Sequence, residues 1–115
     1  DFFFVHYKDT DKAGEDGDFA AKVAALERLD AEIPAVVARR PDVLVVTGDH
    51  ATPALLAAHS WHPVPVLLAG RYAAPDSVDR FSERACATGS LGTLPAHHLM
   101  PLVMANALRL TKFGA

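Results

Sequence analysis

An amphipathic stretch that leads directly into a short apolar run restricts the folds open to this sequence. Apolar side chains recur at three- and four-residue steps over residues 19–37, behind Asp18, which is suited to cap a helix. Pro34 should kink this helix or restart it as a short final turn, and Pro41 should end it. Residues 43–46, Val-Leu-Val-Val, then have the composition of a buried strand. The sequence therefore predicts a long helix followed by a strand.

The first residues predict another strand. Residues 2–8 are an apolar and aromatic run, typical of a strand that is covered on both faces. Residues 9–17 are rich in acids and turn formers, which predicts a loop. With the helix and strand that follow, these segments predict a β-α-β unit with two parallel strands and a right-handed crossover. Asp11 and Asp49 would then lie at the same carboxyl edge of the sheet.

The rest of the chain adds a strand and two helices to this prediction. Residues 52–59 predict a short helix that begins with a Thr cap and a Pro in the first turn. Residues 64–68 predict a third strand, at a sheet edge because Pro65 lies inside it. Irregular structure and then a second long helix are predicted over residues 70–95 and 95–110. The predicted fold class is α/β, with a mixed, mostly parallel sheet flanked by helices.

The opening of the sequence favours a piece of a longer domain. The chain starts at Asp1 without methionine and passes straight into the apolar run. A parallel sheet with an exposed edge is also unusual in a free-standing domain. A processed precursor would begin in the same way. We therefore expect residues 1–115 to be part of a longer protein.

Length and charge exclude several classes of protein. A chain of 115 residues fits one domain at most, and 11 basic against 14 acidic residues leave no patch for nucleic acid. No apolar stretch approaches the length of a membrane helix, and the first residues lack the pattern of a secretory signal. The single cysteine, Cys86, cannot form an internal disulfide. We therefore predict a cytoplasmic protein without nucleic-acid or membrane partners.

Carboxylates and imidazoles cluster in three of the predicted loops. They are Asp9, Asp11, Glu15 and Asp16 in the first loop, Asp49 and His50 in the second, and His59 and His62 in the third. Oxygen and imidazole ligands in combination suit Mn²⁺, Zn²⁺ or Fe²⁺, whereas Ca²⁺ prefers oxygen alone. An EF-hand is excluded, because Ala20 stands where its bidentate Glu is required. The sequence predicts a site for a divalent transition metal.

Each group also has a simpler interpretation. Asp49-His50 could be a helix cap followed by a surface histidine, and the acidic loop could be solvated. His59 and His62 could flank a buried Trp61. The position of Asp11 and Asp49-His50 at one predicted sheet edge favours a shared site. No serine stands in a Gly-x-Ser-x-Gly turn, so the chain offers no identifiable nucleophile.

Three segments resemble a known enzyme family. Residues 11–18, 47–56 and 59–65 are similar to the C-terminal part of the archaeal-type, 2,3-bisphosphoglycerate-independent phosphoglycerate mutases. The resemblance continues through Phe81-Ser82-Glu83, Gly89-Ser90-Leu91-Gly92 and Leu99-Met100-Pro101-Leu102, so it covers nearly the whole chain. That family belongs to the alkaline phosphatase superfamily, which implies two divalent metals above a mixed α/β sheet.

The resemblance implies a role for five residues. Asp49 and His50 would bind one metal, and Asp11 and His59 the other, with Glu15 in the place of a histidine found in the broader superfamily. Manganese and zinc are the usual metals, and a carboxylate at Glu15 should favour manganese or magnesium over zinc. For His59 to reach Asp11, the strand over residues 64–68 must run antiparallel to the other two. His62 is a candidate for substrate binding.

The resemblance also implies an activity. The parent enzyme would interconvert 3-phosphoglycerate and 2-phosphoglycerate through a phosphoserine, in glycolysis and gluconeogenesis. The nucleophilic serine and the substrate-holding arginines would come from outside this chain, so the fragment alone should be inactive. Its partners would be the phosphoglycerate substrate and the remainder of its own parent chain. A metal-dependent phosphohydrolase or phosphomutase with another substrate, or a non-catalytic metal-binding or assembly module, remain alternatives.

Overall fold

The computed structural model describes residues 1–111, which divide into two units. The first unit contains Asp1–Arg39 and His50–His62. The second contains Arg40–Asp49 and the described residues from Pro63 onward. None of the helices in residues 1–111 is long and apolar enough to cross a membrane.

The first unit begins with a short helix where the sequence predicted a loop. Helix α1 spans Asp9–Glu15, and Asp9 and Asp11 occupy its first turn. The prediction of a loop over residues 9–17 was wrong, because acids that are common in turns are also favourable at the positive end of a helix. The chain turns only after the helix, at Gly17, where φ is +67°.

The long helix predicted from periodicity is confirmed. Helix α2 spans Phe19–Val37, and the carboxylate of Asp18 accepts a hydrogen bond from the Ala21 backbone N–H at 2.9 Å. Pro34 lies inside this single helix. Because proline lacks an N–H, it removes one hydrogen bond of the helix without ending it. Helices α1 and α2 pack against each other.

The apolar run at the start of the chain forms neither helix nor strand. Phe2, Phe3, Phe4 and Val5 are 66%, 83%, 78% and 87% exposed. The predicted strand over residues 2–8 was wrong for the part of the chain that the structure describes. A strand needs a neighbour to satisfy its backbone N–H and C=O groups, and residues 1–111 provide none for this run.

The last part of the first unit is a loop closed by one β-bridge. Ala51 and Ser60 pair in antiparallel fashion, and the Ser60 N–H donates to the Ala51 carbonyl at 2.8 Å. The intervening residues make only a turn, in which the Leu56 N–H donates to the Pro53 carbonyl at 3.0 Å. The predicted helix over residues 52–59 was therefore wrong, because the Thr52 hydroxyl bonds elsewhere instead of capping a helix.

The second unit contains an antiparallel pair of strands. Strand β1 spans Val43–Thr47 as predicted, and strand β2 spans Val66–Gly70, two residues later than predicted. Their register pairs Val43 with Gly70 and Thr47 with Val66. Pro65 stays outside the strand because it cannot donate to the ladder, and its carbonyl accepts from Thr47 Oγ1 at 3.0 Å. The predicted antiparallel direction of the later strand is confirmed against β1.

Two short helices complete the second unit. Helix α3 spans Glu83–Cys86 in the region predicted to be irregular, and Ser82 caps it. A 3-10 turn at Ala96–His98 leads into helix α4, which spans Leu99–Asn106 and packs against β1. The predicted helix to residue 110 ends early, because Leu108 has a φ of +55° and cannot continue it.

A carboxylate organises the irregular segment of the second unit. Asp76 accepts hydrogen bonds from the backbone N–H groups of Val78 and Ser90, at 2.9 and 2.8 Å. These two bonds lower the pKa of Asp76, because they favour the ionised carboxylate. Residues 14 positions apart are thereby joined without any regular secondary structure.

The architecture is mixed α/β, in agreement with the predicted fold class. The described sheet has two antiparallel strands, and the predicted parallel β-α-β unit is absent from residues 1–111 because residues 2–8 form no strand. The buried residues among those described all belong to the first unit; they are Ala13, Gly14, Ala25, Ala51 and Thr52. Four of these five lie within two residues of a predicted metal ligand, so the most protected part of the described chain is the candidate site.

Candidate metal centre

The bridge between Ala51 and Ser60 brings the two histidines that flank it together. Side chains of an extended segment alternate between its two faces, so His50 and Thr52 share a face. In the antiparallel register of the bridge, His59 lies opposite Thr52 and on that same face. The rings of His50 and His59 accordingly lie 3.9 Å apart, with an angle of 34° between their planes.

Helix α1 places a carboxylate beside the histidine pair. Asp11 Oδ1 lies 3.9 Å from His50 Nδ1 and 3.7 Å from His59 Nε2. Each of the three side chains offers a ligand atom within 4.8 Å of the others. Two residues from one loop and one from a helix distant in sequence thus converge on a single point.

Glu15 also faces His59. Its Oε1 lies 3.2 Å from His59 Nε2, the same nitrogen that faces Asp11. Because residues four apart in a helix lie on one face, α1 presents both carboxylates to the imidazole. The sequence predicted a loop here, whereas the structure brings the two carboxylates together with regular helix.

Thr52 lies buried between Asp11 and His50. Its side chain is almost inaccessible, with 4% of the residue exposed. The hydroxyl donates to Asp11 Oδ1 at 2.7 Å and lies 3.1 Å from His50 Nδ1. The ammonium of Lys22, from α2, donates to the Thr52 backbone carbonyl. Thr52 is therefore held by groups from α1, α2 and its own loop.

The surroundings of Asp11 favour its ionised form. The hydrogen bond from the Thr52 hydroxyl is the main reason that the pKa of Asp11 falls below the usual value, against the opposing effect of burial. Positive charge on His50, His59 and Lys8 lowers the pKa further. A carboxylate must be deprotonated to bind a metal, so this environment prepares Asp11 as a ligand.

Gly14 permits α1 to approach the loop. A Cβ atom at this position would collide with the Thr52 carbonyl oxygen, and would lie 2.9 Å from Lys22 Nζ and 3.0 Å from Thr52 Cγ2. Only a residue without a side chain fits between Asp11 and Glu15 at this distance from Thr52. The glycine that suggested a turn in the sequence thus serves close packing.

The donor set fits a divalent transition metal. The imidazoles of His50 and His59 converge with the carboxylate of Asp11, and Glu15 contacts His59. This mixture suits manganese or zinc better than calcium, which prefers oxygen ligands alone. The side chains of His59 and Glu15 are 54% and 53% exposed, whereas those of Asp11 and His50 are 23% and 32% exposed. The cluster is thus anchored on one side and accessible on the other, as a reactive centre requires.

Asp49 and His62 are not among the three residues of this group. Asp49 is exposed and is the last residue of its segment in the second unit, directly before His50, and its metal role stays a prediction. His62 contacts Ser60 instead, with Nδ1 2.8 Å from the Ser60 hydroxyl, and its ring stacks on Trp61 at 5.1 Å. Its substrate role also stays a prediction.

Sequence reasoning missed two residues that support the site. Thr52 was interpreted as a helix cap, and Lys22 was interpreted only as part of the amphipathic helix. The spacing of Thr52 from His50 could have indicated a shared face, had the segment been interpreted as extended. No local pattern indicates that Lys22 would reach a carbonyl group 30 residues away.

Comparisons with known proteins agree with a metal-dependent enzyme. The family model of the metalloenzyme superfamily matches residues 1–106. Relatives named probable 2,3-bisphosphoglycerate-independent phosphoglycerate mutase are 55% identical in Thermus thermophilus and 50% identical in Aquifex aeolicus, each over 115 residues. The match takes in 100% of this chain and 28% of each relative.

A solved structure is also similar over the whole chain. The PH0037 protein from Pyrococcus horikoshii superimposes with a TM-score of 0.93 at 39% sequence identity. The match covers 100% of this chain and 36% of that chain. The present chain therefore spans about a third or less of the proteins to which it is similar.

Proposed function

Because the chain belongs to the metalloenzyme superfamily, we propose that it is the C-terminal metal-binding part of a cofactor-independent phosphoglycerate mutase. The parent enzyme interconverts 3-phosphoglycerate and 2-phosphoglycerate. The observation that carries the proposal is the convergence of Asp11, His50 and His59 within 4.8 Å. It is supported by relatives of that name at 50–55% identity over the full chain.

Two divalent ions would be held largely by this chain. Asp11, Glu15 and His59 would hold one ion, and Asp49 and His50 the other. When bound, such a pair of ions stabilises negative charge on the oxygens of a phosphoryl group in transfer. The contact of Asp11 Oδ1 with both imidazoles, at 3.9 and 3.7 Å, supports a position for this carboxylate between the two ligand sets.

The residues of this chain would orient the ligands and leave the chemistry to groups elsewhere in the parent. The Thr52 hydroxyl holds Asp11 in its ionised form, and helix α1 fixes Glu15 one turn away. The serine that accepts the phosphoryl group and the arginines that hold the substrate would belong to the remainder of the parent chain. The present chain alone would then be inactive.

Metal preference would follow from Glu15. A carboxylate oxygen is a harder ligand than imidazole, so a site with two carboxylates and one histidine should prefer manganese or magnesium to zinc. The 3.2 Å contact between Glu15 Oε1 and His59 Nε2 supports a shared ion. The enzyme would act in the cytoplasm, in glycolysis and gluconeogenesis, on a small-molecule substrate and without nucleic-acid or membrane partners.

Metal titration and turnover in the intact natural protein test this proposal. We expect His59→Gln and Glu15→Gln to weaken Mn²⁺ binding at one site by about 10–100-fold and to lower conversion of 3-phosphoglycerate at least as much. His97→Gln is the matched control, because His97 is an exposed histidine that is not a predicted metal ligand.

Four results would contradict the proposal in whole or in part. Unchanged Mn²⁺ binding in His59→Gln would remove this residue from the site, and unchanged binding in Glu15→Gln would leave Glu15 as a solvated side chain. Release of free phosphate in place of 2-phosphoglycerate would identify a phosphohydrolase instead. Turnover by the 115-residue chain alone would contradict its role as part of a larger catalytic unit.

A further inference from the structure

We infer that Thr52 is a positioning residue that selects the tautomer of His50 and fixes the orientation of Asp11, so that both present a lone pair to a metal. The inference rests on the proposed metal function, and goes beyond it by assigning a role to a residue that binds no metal itself. Thr52 is the one polar side chain that the described residues bury almost completely.

The Thr52 hydroxyl has a single proton to donate. Threonine has one O–H donor and two acceptor lone pairs. The hydroxyl donates to Asp11 Oδ1 at 2.7 Å, and an ionised carboxylate can only accept. The proton is thereby committed to Asp11, and the hydroxyl oxygen can only accept from other groups.

The commitment of that proton determines the state of His50. His50 Nδ1 lies 3.1 Å from the same Thr52 oxygen. Since Thr52 has no second proton, the hydrogen bond requires that Nδ1 carries an N–H. In a neutral imidazole the lone pair is then on Nε2, which becomes the metal-binding nitrogen. In this arrangement His50 Nδ1–H donates to the Thr52 hydroxyl, and the Thr52 hydroxyl donates to Asp11 Oδ1.

The position of Thr52 is itself fixed from two sides. Lys22 Nζ donates to the Thr52 carbonyl, and the absence of a side chain at Gly14 lets α1 pack against it. Burial protects the hydrogen bonds from competition by water, which strengthens them. Because the neutral histidine tautomer is set by the bond that its other nitrogen makes, removal of the hydroxyl should remove this constraint on His50 Nδ1.

The tautomer can be measured without any substitution. In the metal-free intact protein at a pH at which His50 is neutral, ¹⁵N NMR of the imidazoles should show a protonated Nδ1 and an unprotonated Nε2. His50→Gln assigns the signals, since it removes only those of that ring. A wild-type His50 with its proton on Nε2 would overturn the inference whatever the variants do.

Three variants separate a positioning role from a packing role. Thr52→Val keeps the shape and removes the hydroxyl, so we expect about 10–100-fold weaker Mn²⁺ and Zn²⁺ binding in chelator competition, with loss of the Nδ1–H signature. Thr52→Ser keeps the hydroxyl and should restore the tautomer and bind within about threefold of wild type. Thr52→Ala should resemble Thr52→Val.

The outcomes distinguish this inference from the proposed function. Tight metal binding by Thr52→Val, or failure of Thr52→Ser to restore it when both are folded by circular dichroism, would overturn the positioning role. If wild type shows the Nδ1–H tautomer but binds neither Mn²⁺ nor Zn²⁺, the metal function fails and the hydrogen-bond assignment of Thr52 still holds.

Discussion

The loop around Thr52 and the run Phe2–Val5 belong to the same unit, but the polar Thr52 is buried and the apolar run is exposed. Thr52, a polar residue, is 4% exposed, whereas Phe3 is 83% exposed. Large apolar side chains normally supply the core, and buried polar groups are tolerated only when they are hydrogen-bonded. The loop meets that condition through the contacts of Thr52 with Asp11 and Lys22.

This difference shows what organises the first unit. Its buried residues are small or polar and surround the metal ligands, while its large apolar side chains remain on the surface; these include Phe19, Leu26, Leu55 and Trp61. Burial of small residues contributes little hydrophobic free energy. The remainder of the proposed parent protein would cover this apolar surface. The site would then be the best protected part of the described residues only while they are considered on their own.

The largest effect should come from a change at Phe3. If the parent protein covers residues 2–5, Phe3→Ala in the intact protein should lower the free energy of unfolding by about 3 kcal/mol, as for a buried aromatic residue. In the 115-residue chain on its own, the same substitution should cost less than about 0.5 kcal/mol, as for an exposed residue. Urea unfolding of both proteins measures the difference. If Phe3→Ala lowers the free energy of unfolding equally little in both proteins, the parent protein does not cover residues 2–5.

A change at Gly14 should have the next largest effect. Alanine is worth about 1 kcal/mol more than glycine in a helix, so propensity alone predicts stabilisation. The collision with the Thr52 carbonyl should outweigh this gain and destabilise the intact protein by about 2 kcal/mol net, with weaker Mn²⁺ binding.

Gly92→Ala provides the control for Gly14→Ala. Gly92 has a φ of +60° and no atom within 4 Å of a Cβ built on it. This substitution should destabilise through backbone strain alone, by roughly 1 kcal/mol, and should leave Mn²⁺ affinity unchanged. If Gly14→Ala is more stable than wild type and binds Mn²⁺ as tightly, α1 does not pack as closely on Thr52 as described.

The smallest effect should come from Asp76, which is held by hydrogen bonds without burial. Its folded-state pKa lies below the ordinary 3.8, so its contribution to stability is present above that pH and is lost as pH falls through the folded value. Asp76→Asn should be slightly less stable than wild type at neutral pH. The difference in free energy of unfolding between the two proteins should shrink as the pH is lowered. A difference that stays constant down to about pH 3 would show that the backbone hydrogen bonds do not favour the carboxylate.

Local patterns predicted the elements whose stability is local. Helix α2 was predictable from the spacing of its apolar residues and from the Asp18 cap, and β1 from its run of β-branched residues. Helix α1 was missed because its acids and Gly14 have the composition of a turn. The strand over residues 2–8 was wrongly predicted because strand formation depends on a partner, which residue composition does not reveal.

The sequence allowed the ligand residues of the site to be predicted, but not how they are brought together. Asp11, His50 and His59 could be proposed from residue chemistry and family resemblance. Their convergence depends on the pairing of Ala51 with Ser60 and on the close approach at Gly14, which involve residues distant in sequence. The direction of the Thr52 hydrogen bonds could not be predicted either, because it requires knowing which acceptors lie within reach.

The bridge between Ala51 and Ser60 closes a loop that has His50 just outside it and His59 just inside it. The loop is most exposed at Leu55, which is 95% exposed, whereas Ala54 and Ala57 lie close to Gly17. A foreign peptide inserted next to Leu55 should therefore carry a modest entropic cost, because loop closure depends only weakly on length. The molecule offers here an insertion point for a fluorescent tag or an affinity epitope, four residues from His59 in sequence.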